Sequence, residues 1–262
     1  MKKLIFKSIV YSFVLVFAVS CSKDDDSNKG TKEISKTEVK SVLETGDITG
    51  IADVMVTNAF KNKGNSGKSS KTTEECYVGT YGENSYKLVF SDCDAGEGKK
   101  INGTINVTFT PGSLSYTATY VDFTVGDISI SGTRTFTIGI DLSNLSNFTT
   151  MVSSDMTVIK GNGDTVIITG TQNFTFSVGE NQEDVDFSLS GDWNVKINSD
   201  TYKINISESL IGSASCTYFT KGVMEITKND YKVSVDFGDG ACDAIATLTK
   251  PDGSSEEITL DD

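Results

Sequence analysis

Ile101-Asn102-Gly103-Thr104-Ile105-Asn106-Val107-Thr108-Phe109-Thr110 sets an apolar or small residue at every odd position and a polar one at every even position. A period of two marks an antiparallel strand with one dry and one wet face. The same rhythm recurs down the chain. Ile128, Ile130, Gly132, Arg134, Phe136, Ile138 and Ile140 form one row, and Val166, Ile168, Gly170, Gln172, Phe174, Phe176 and Val178 another. Val185, Phe187, Leu189, Gly191, Trp193, Val195 and Ile197 follow, then Tyr202, Ile204 and Ile206. Short turns such as Gly161-Asn162-Gly163-Asp164 and Asn198-Ser199-Asp200 join them. Between Leu114-Tyr116-Ala118-Tyr120 and Val121-Phe123-Val125 the apolar phase slips by one residue, which predicts a bulge. Roughly a dozen strands result, more than an open sheet holds without curling or splitting. The expected fold is all-β: a large antiparallel meander rolled into an open barrel or two layers, spanning residues 76–262.

A helical segment precedes it, at residues 33–60, and is expected to plug or cover the rolled sheet. Ile48, Ile51, Ala52, Met55, Val56, Ala59 and Phe60 make one stripe at helical spacing, with Asp47 placed to cap its start. Thr37 to Leu43 reads as a weaker turn or two. Residues 61–75, with their basic Gly/Ser stretch Lys61 to Thr73, read as a flexible linker.

The first 20 residues read as an export signal. Met1-Lys2-Lys3 and Lys7 precede an apolar run from Ile9 to Val19 that is too short to span a bilayer, which takes about 20 apolar residues. Ala18-Val19-Ser20-Cys21 resembles the lipobox of bacterial lipoproteins, with Ala18 where Leu is commoner. That resemblance implies cleavage before Cys21 and acylation of Cys21, hence an anchor in a membrane. Ser22-Lys23-Asp24-Asp25-Asp26 resembles the acidic signal that sends lipoproteins of Bacteroidota to the outer face of the outer membrane. The plainer reading is a solvated acidic tether over residues 21–32.

The chain carries a formal net charge of −13, and losing Lys2, Lys3 and Lys7 with the leader makes the mature form three units more negative. Such acidity argues against nucleic acid as a partner. The absence of histidine excludes Ser-His and Cys-His catalysis and His-ligated zinc. Beyond Cys21 four cysteines remain, and an even number in an exported protein points to disulfides. Cys76 and Cys93 are equidistant from Asn84-Ser85, and Cys216 and Cys242 from Asn229. In a hairpin, residues equidistant from the turn face one another, so Cys76–Cys93 and Cys216–Cys242 are the expected bridges.

The two cysteine hairpins echo each other: Cys76-Tyr77, Tyr86-Lys87-Leu88-Val89-Phe90 and Cys93-Asp94 return as Cys216-Thr217-Tyr218, Tyr231-Lys232-Val233 and Cys242-Asp243. The ending Asp236-Phe237-Gly238-Asp239-Gly240-Ala241-Cys242-Asp243, followed by a hairpin over Pro251-Asp252-Gly253, is similar to a group of Bacteroidota surface lipoproteins. Asp47-Ile48-Thr49-Gly50-Ile51-Ala52-Asp53 and Lys100-Ile101-Asn102-Gly103-Thr104-Ile105 fit that group too. The resemblance implies a location and brings no catalytic residue or ligand.

Asp236, Asp239 and Asp243 surround a Gly-rich turn, as do Asp92, Asp94 and Glu97 in the first hairpin, and clustered carboxylates of this kind could hold Ca²⁺. Their spacing does not match an EF-hand, and no cofactor is otherwise expected. Trp193, in phase with apolar neighbours, reads as core. Tyr77, Tyr81, Tyr86, Tyr218 and Tyr231 lie on or beside the cysteine hairpins, where an exposed cluster could meet a partner. Asp164-Thr165-Val166 resembles a short O-glycosylation acceptor. Arg134 stands alone in an apolar row and marks a polar lumen or a salt bridge. With no catalytic pattern, the expected protein is a non-enzymatic, surface-anchored binding or accessory protein whose ligand could be a glycan, a protein or a lipid. The alternatives are a carrier of lipid or another hydrophobic ligand, and an exported hydrolase with paired carboxylates.

Overall fold

The computed structural model describes residues 33–62, 77–94, 98–140, 143, 147–178 and 185–260. One helix, α1 (Lys36–Asn62), precedes thirteen strands. These are β1 (Tyr77–Tyr81), β2 (Ser85–Asp94), β3 (Lys100–Phe109), β4 (Ser115–Val125), β5 (Ile128–Ile140), β6 (Asn147–Ile159) and β7 (Thr165–Val178). Then come β8 (Val185–Ile197), β9 (Asp200–Ser213), β10 (Lys221–Lys228), β11 (Tyr231–Asp239), β12 (Ile245–Thr249) and β13 (Ser255–Thr259). All lie in a single antiparallel sheet in sequence order. The expected all-β meander is present as one sheet, and it is not closed into a barrel.

The sheet curls around α1. Thirteen strands laid flat would span about 60 Å, whereas a helix is only about 10–12 Å across. Yet α1 reaches strands far apart in the order. The Tyr86 hydroxyl on β2 donates to the Val56 carbonyl, Arg134 on β5 meets Asp53, and Tyr202 on β9 and Lys228 on β10 both meet Glu38. Lys36 donates to the Glu257 carbonyl on β13. A flat sheet could not satisfy these together.

The curl follows a crease that crosses β2 to β10, visible as register shifts and strand glycines with positive φ. Gly132 (φ 107°) shows why the crease needs glycine: a Cβ there would stand 2.2 Å from the Asp155 carbonyl oxygen on β6. Gly103 repeats the geometry, 2.1 Å from the Asp122 carbonyl oxygen. Missing side chains let adjacent backbones close up and the sheet bend sharply. The predicted bulge lies on this line, between Tyr120 and Phe123, with Asp122 at φ 48°.

The helix departs from the expected two pieces. Asp47 does not start a helix, because the chain is helical without a break from Lys36. Its cap is Ser35, whose hydroxyl accepts from the Glu38 N–H while Glu38 accepts from the Ser35 N–H and hydroxyl. This reciprocal box satisfies two otherwise unpaired donors. Burial against the sheet then carries the helix through its β-branched and glycine positions. Val39, Val42, Ile48 and Val56 are buried. The hydroxyls of buried Thr45 and Thr49 bond back to helix carbonyls, which makes them tolerable there.

A paired substitution tests the crease against the helix. Gly132→Ala should cost on the order of 2–4 kcal/mol through strain and steric overlap. Gly46→Ala should raise stability by up to about 1 kcal/mol, since nothing lies within 4 Å of the added Cβ. Urea melts of both variants check it.

Candidate functional site

The two ends of the curled sheet differ. Short turns close one end: residues 126–127, 160–164, 198–199, 229–230 and 250–254. Asn229 and Asp230 both have positive φ, as a tight hairpin turn requires. Helix α1 starts at this end, and an ion cluster around the buried Lys228 fastens it. Lys228, nearly inaccessible, donates to Glu38 and, at 2.8 Å, to Asp200, while the Tyr202 hydroxyl donates to Glu38 at 2.7 Å. Burial alone would raise the Glu38 carboxyl, but hydrogen bonds from Lys228, Ser35 and Tyr202 pull it down to about 2. Burial likewise opposes the Lys228 charge, yet its bonds to Asp200 and Glu38 hold that amine above its ordinary value. Burial and the neighbouring Glu38 push Tyr202 up to about 12.

Midway along the lumen stands the arginine that looked out of place in its row. Arg134 is 2% exposed, and its Nη1 lies 2.7 Å from the Asp53 carboxylate on α1. Its Nη2 donates to Gln172 Oε1 at 3.3 Å, and its guanidinium sits 5.6 Å from the Phe136 ring centroid. Of the two sequence readings, the salt bridge holds. Burial raises the Asp53 carboxyl to about 6 despite the opposing pull of Arg134. Tyr116 and Tyr120, on β4 beside it, are pushed above their ordinary range chiefly by burial, with the Asp53 charge adding to it.

Above this pair the lumen opens at the far end as an apolar mouth. Strands β5 to β9 are long, and their inward rows continue past the buried core. Ile138 and Ile140, in phase with buried Arg134 and Phe136, remain 36% and 49% exposed. Phe148 pairs with Ile140 across β5–β6 and stacks on Phe176 at 4.7 Å. Phe174, Phe187 and Phe219 extend the ring contacts to buried Phe237. On the other side Tyr81, Tyr86, Phe109, Tyr116 and Phe136 form a second chain of contacts. Half-buried aromatic rings around a concave opening are what a hydrophobic ligand site is made of. The alternating rows carried this signal, but which inward residues stay uncovered depends on where the helix lies.

Several expected site residues fall elsewhere. Cys216–Cys242 is bridged, with Cα atoms 5.7 Å apart. It joins the β9–β10 and β11–β12 loops at the mouth end rather than facing positions in paired strands. Cys93 is buried on β2; Cys76, and with it the expected first bridge, lies outside the described residues. The first hairpin turns one position earlier than expected, since Tyr81 pairs with Tyr86. Cys21 and Ser22, Lys23, Asp24, Asp25 and Asp26 also lie outside the described residues, as does Glu97.

The tyrosines do not form an exposed cluster, because Tyr77 and Tyr86 point inward and are buried. Trp193 is core. Asp164 accepts from the side chains of Asn162 and Asn198, which hold its carboxyl below the usual range. Asp236, Asp239 and Asp243 line one hollow of about 110 Å³. Asp236 and Asp243 accept from the Gly238 and Ile245 N–H groups, so they shape their own turns. Among the described residues no three acidic or thiol groups stand close enough to hold a metal ion.

Set against protein-family models, curated proteins and solved structures, the chain matches none.

The two perturbed carboxyls give stability a defined pH profile. Asp53 is raised in the fold from 3.8 to about 6, so the folded state takes up its proton first, and stability rises as pH falls through 6 towards 4. Glu38 is lowered from 4.5 to about 2; its contribution is complete above 4.5 and is lost as pH falls towards 2. Urea midpoints at about pH 7.5, 5 and 3 should peak at the middle value. Asp53→Asn should remove the rise between the first two and keep the acid loss.

Proposed function

We propose that this chain is a lipid-anchored, non-enzymatic binding protein of the outer membrane, displayed on the cell surface, and that it takes a hydrophobic ligand at the aromatic mouth. The observation that carries the reading is the uncovered apolar floor formed by Ile138, Ile140, Phe148, Phe174 and Phe176. Deeper along the same rows the described inward residues, among them Arg134, Phe136, Val152 and Ile168, are buried. A concave apolar surface left half open costs hydration free energy, roughly 25 cal/mol for each Å², and a ligand that covers it recovers that cost.

The anchoring side of the proposal rests on Ala18-Val19-Ser20-Cys21 and Ser22-Lys23-Asp24-Asp25-Asp26. Helix α1 starts at the turn end of the sheet, the end opposite the mouth.

Two experiments test the two halves. Protease added to intact cells should digest the wild type and spare a variant with Asp24, Asp25 and Asp26 changed to Ala; protection of both would place the protein on the inner side. In solution, the neutral dye N-phenyl-1-naphthylamine should brighten on binding the wild type. Phe176→Glu should weaken that binding at least about tenfold, or about 1.4 kcal/mol. A wild type that leaves the dye dark would contradict the mouth as a binding site.

A further inference from the structure

The mouth is closed below as well as open above, and the closed side limits what it takes. A row of facing residues, Phe136, Val152 and Gln172 on β5, β6 and β7, forms the stop. Phe136 and Val152 are buried, and Gln172 accepts from Arg134. Two more rows stand above it as a shelf. Ile138, Thr150 and Phe174 face one another in the lower row, and Ile140, Phe148, Phe176 and Phe187 in the upper. All of these keep some surface open to solvent. Phe136 and Ile140 are four residues apart on one strand, so the described shelf is about 14 Å deep.

Charge and width then set the ligand class. The inward side chains of these two rows carry one hydroxyl, that of Thr150, and no ionised group. A charged or strongly polar head drawn down onto the shelf would lose its hydration without gaining a partner, so a head group stays at the rim. Helix α1 runs on past Asp53 to Asn62, and beside it Ile138 and Ile140 remain exposed. Space left alongside a helix in a curled sheet is a slot, which admits a slender chain and not a folded protein surface. Carbon–carbon bonds of about 1.5 Å at tetrahedral angles advance roughly 1.25 Å per carbon, so about ten carbons reach from the rim to the stop.

We propose that the mouth takes the alkyl tail of a single-chain amphiphile end-on, with Phe136 and Val152 as the stop and the head group left in water. This rests on the reading of the mouth as a hydrophobic site and adds a ruler for chain length. Each CH₂ laid on the shelf tightens binding about threefold to fourfold. Carbons beyond about the tenth find no further shelf, stay hydrated and add nothing. Selection is by tail length, and the nature of the head matters little.

The test is a series of hexyl, octyl, decyl, dodecyl and tetradecyl maltosides, each displacing N-phenyl-1-naphthylamine from the mature protein below its micelle concentration. Affinity should climb about threefold to fourfold per carbon from the hexyl to the decyl compound and then level off. Decyl maltoside should match decan-1-ol within about threefold, because neither head enters. Ile138→Trp fills the lower row from an exposed position. With the fold kept by circular dichroism, it should bring the levelling down to the hexyl or octyl compound. An unbroken climb to the tetradecyl compound, or a levelling point that Ile138→Trp leaves in place, would overturn the ruler while the hydrophobic mouth stands. Displacement by decan-1-ol with every maltoside excluded would overturn the head-out mode. Bound dye that none of them displaces would overturn the tail as ligand, and a dye that stays dark would overturn the mouth itself.

Discussion

A sheet of thirteen strands with one apolar face must cover that face, and here a single helix covers most of it. The concave surface can close on something so narrow only by curling, and it can curl only where adjacent backbones are free to approach. The glycines along the crease supply that freedom, and α1 supplies the filling. Neither is useful alone. Without the crease the outer strands would lie too far from the helix, and without the helix the inward residues of β2 to β13 would face water. The ion pair between Arg134 and Asp53 and the cluster of Lys228, Glu38, Asp200 and Tyr202 fix the depth and direction of the helix within the curl.

These polar contacts join buried cations to carboxylates that are partly exposed, so their worth lies in specificity as much as in strength. A charge pair withdrawn from water gains little net free energy over apolar packing, while breaking one partner is costly. An apolar helix face alone could slide or turn in an apolar trough. Arg134 at mid-depth and Lys228 near the turn end define two points, and two points set both register and rotation. The same depth leaves the far end of β5 to β9 uncovered, so the mouth is a consequence of where the helix is held.

Much of the architecture is legible in the sequence because alternation is a local property. Rows such as Ile101 to Phe109 and Val166 to Val178 predict their strands, and the phase slip after Tyr120 predicts the bulge. The Cys216–Cys242 bridge followed from spacing even though its cysteines stand in loops, because loops at the same end of a hairpin are also close. The continuity of α1 was not legible. Gly46, Gly50 and its β-branched residues oppose a helix, and only burial against the sheet outweighs them. The crease was hidden for a similar reason: Gly103, Gly132, Gly170 and Gly191 fall in phase with apolar residues and read as small core positions. The partner of Arg134 was equally out of reach, since Asp53 is 81 residues away in the chain. Tyr77 and Tyr86 looked exposed because tyrosine suits either face of a strand, and only the direction of curl decides.

The sheet wraps a helix that Arg134 and Asp53 hold at a defined depth. A double-mutant cycle on this pair tests it most directly. Asp53→Leu should destabilise the fold by about 3–5 kcal/mol, because it leaves the buried Arg134 charge alone, while Arg134→Met should cost less, because the partly exposed Asp53 carboxyl can take up a proton. The double variant should cost several kcal/mol less than their sum, since it leaves no charge unpaired. Single effects below about 0.5 kcal/mol, or costs that simply add, would mean that the two groups do not meet in the lumen and would contradict the account.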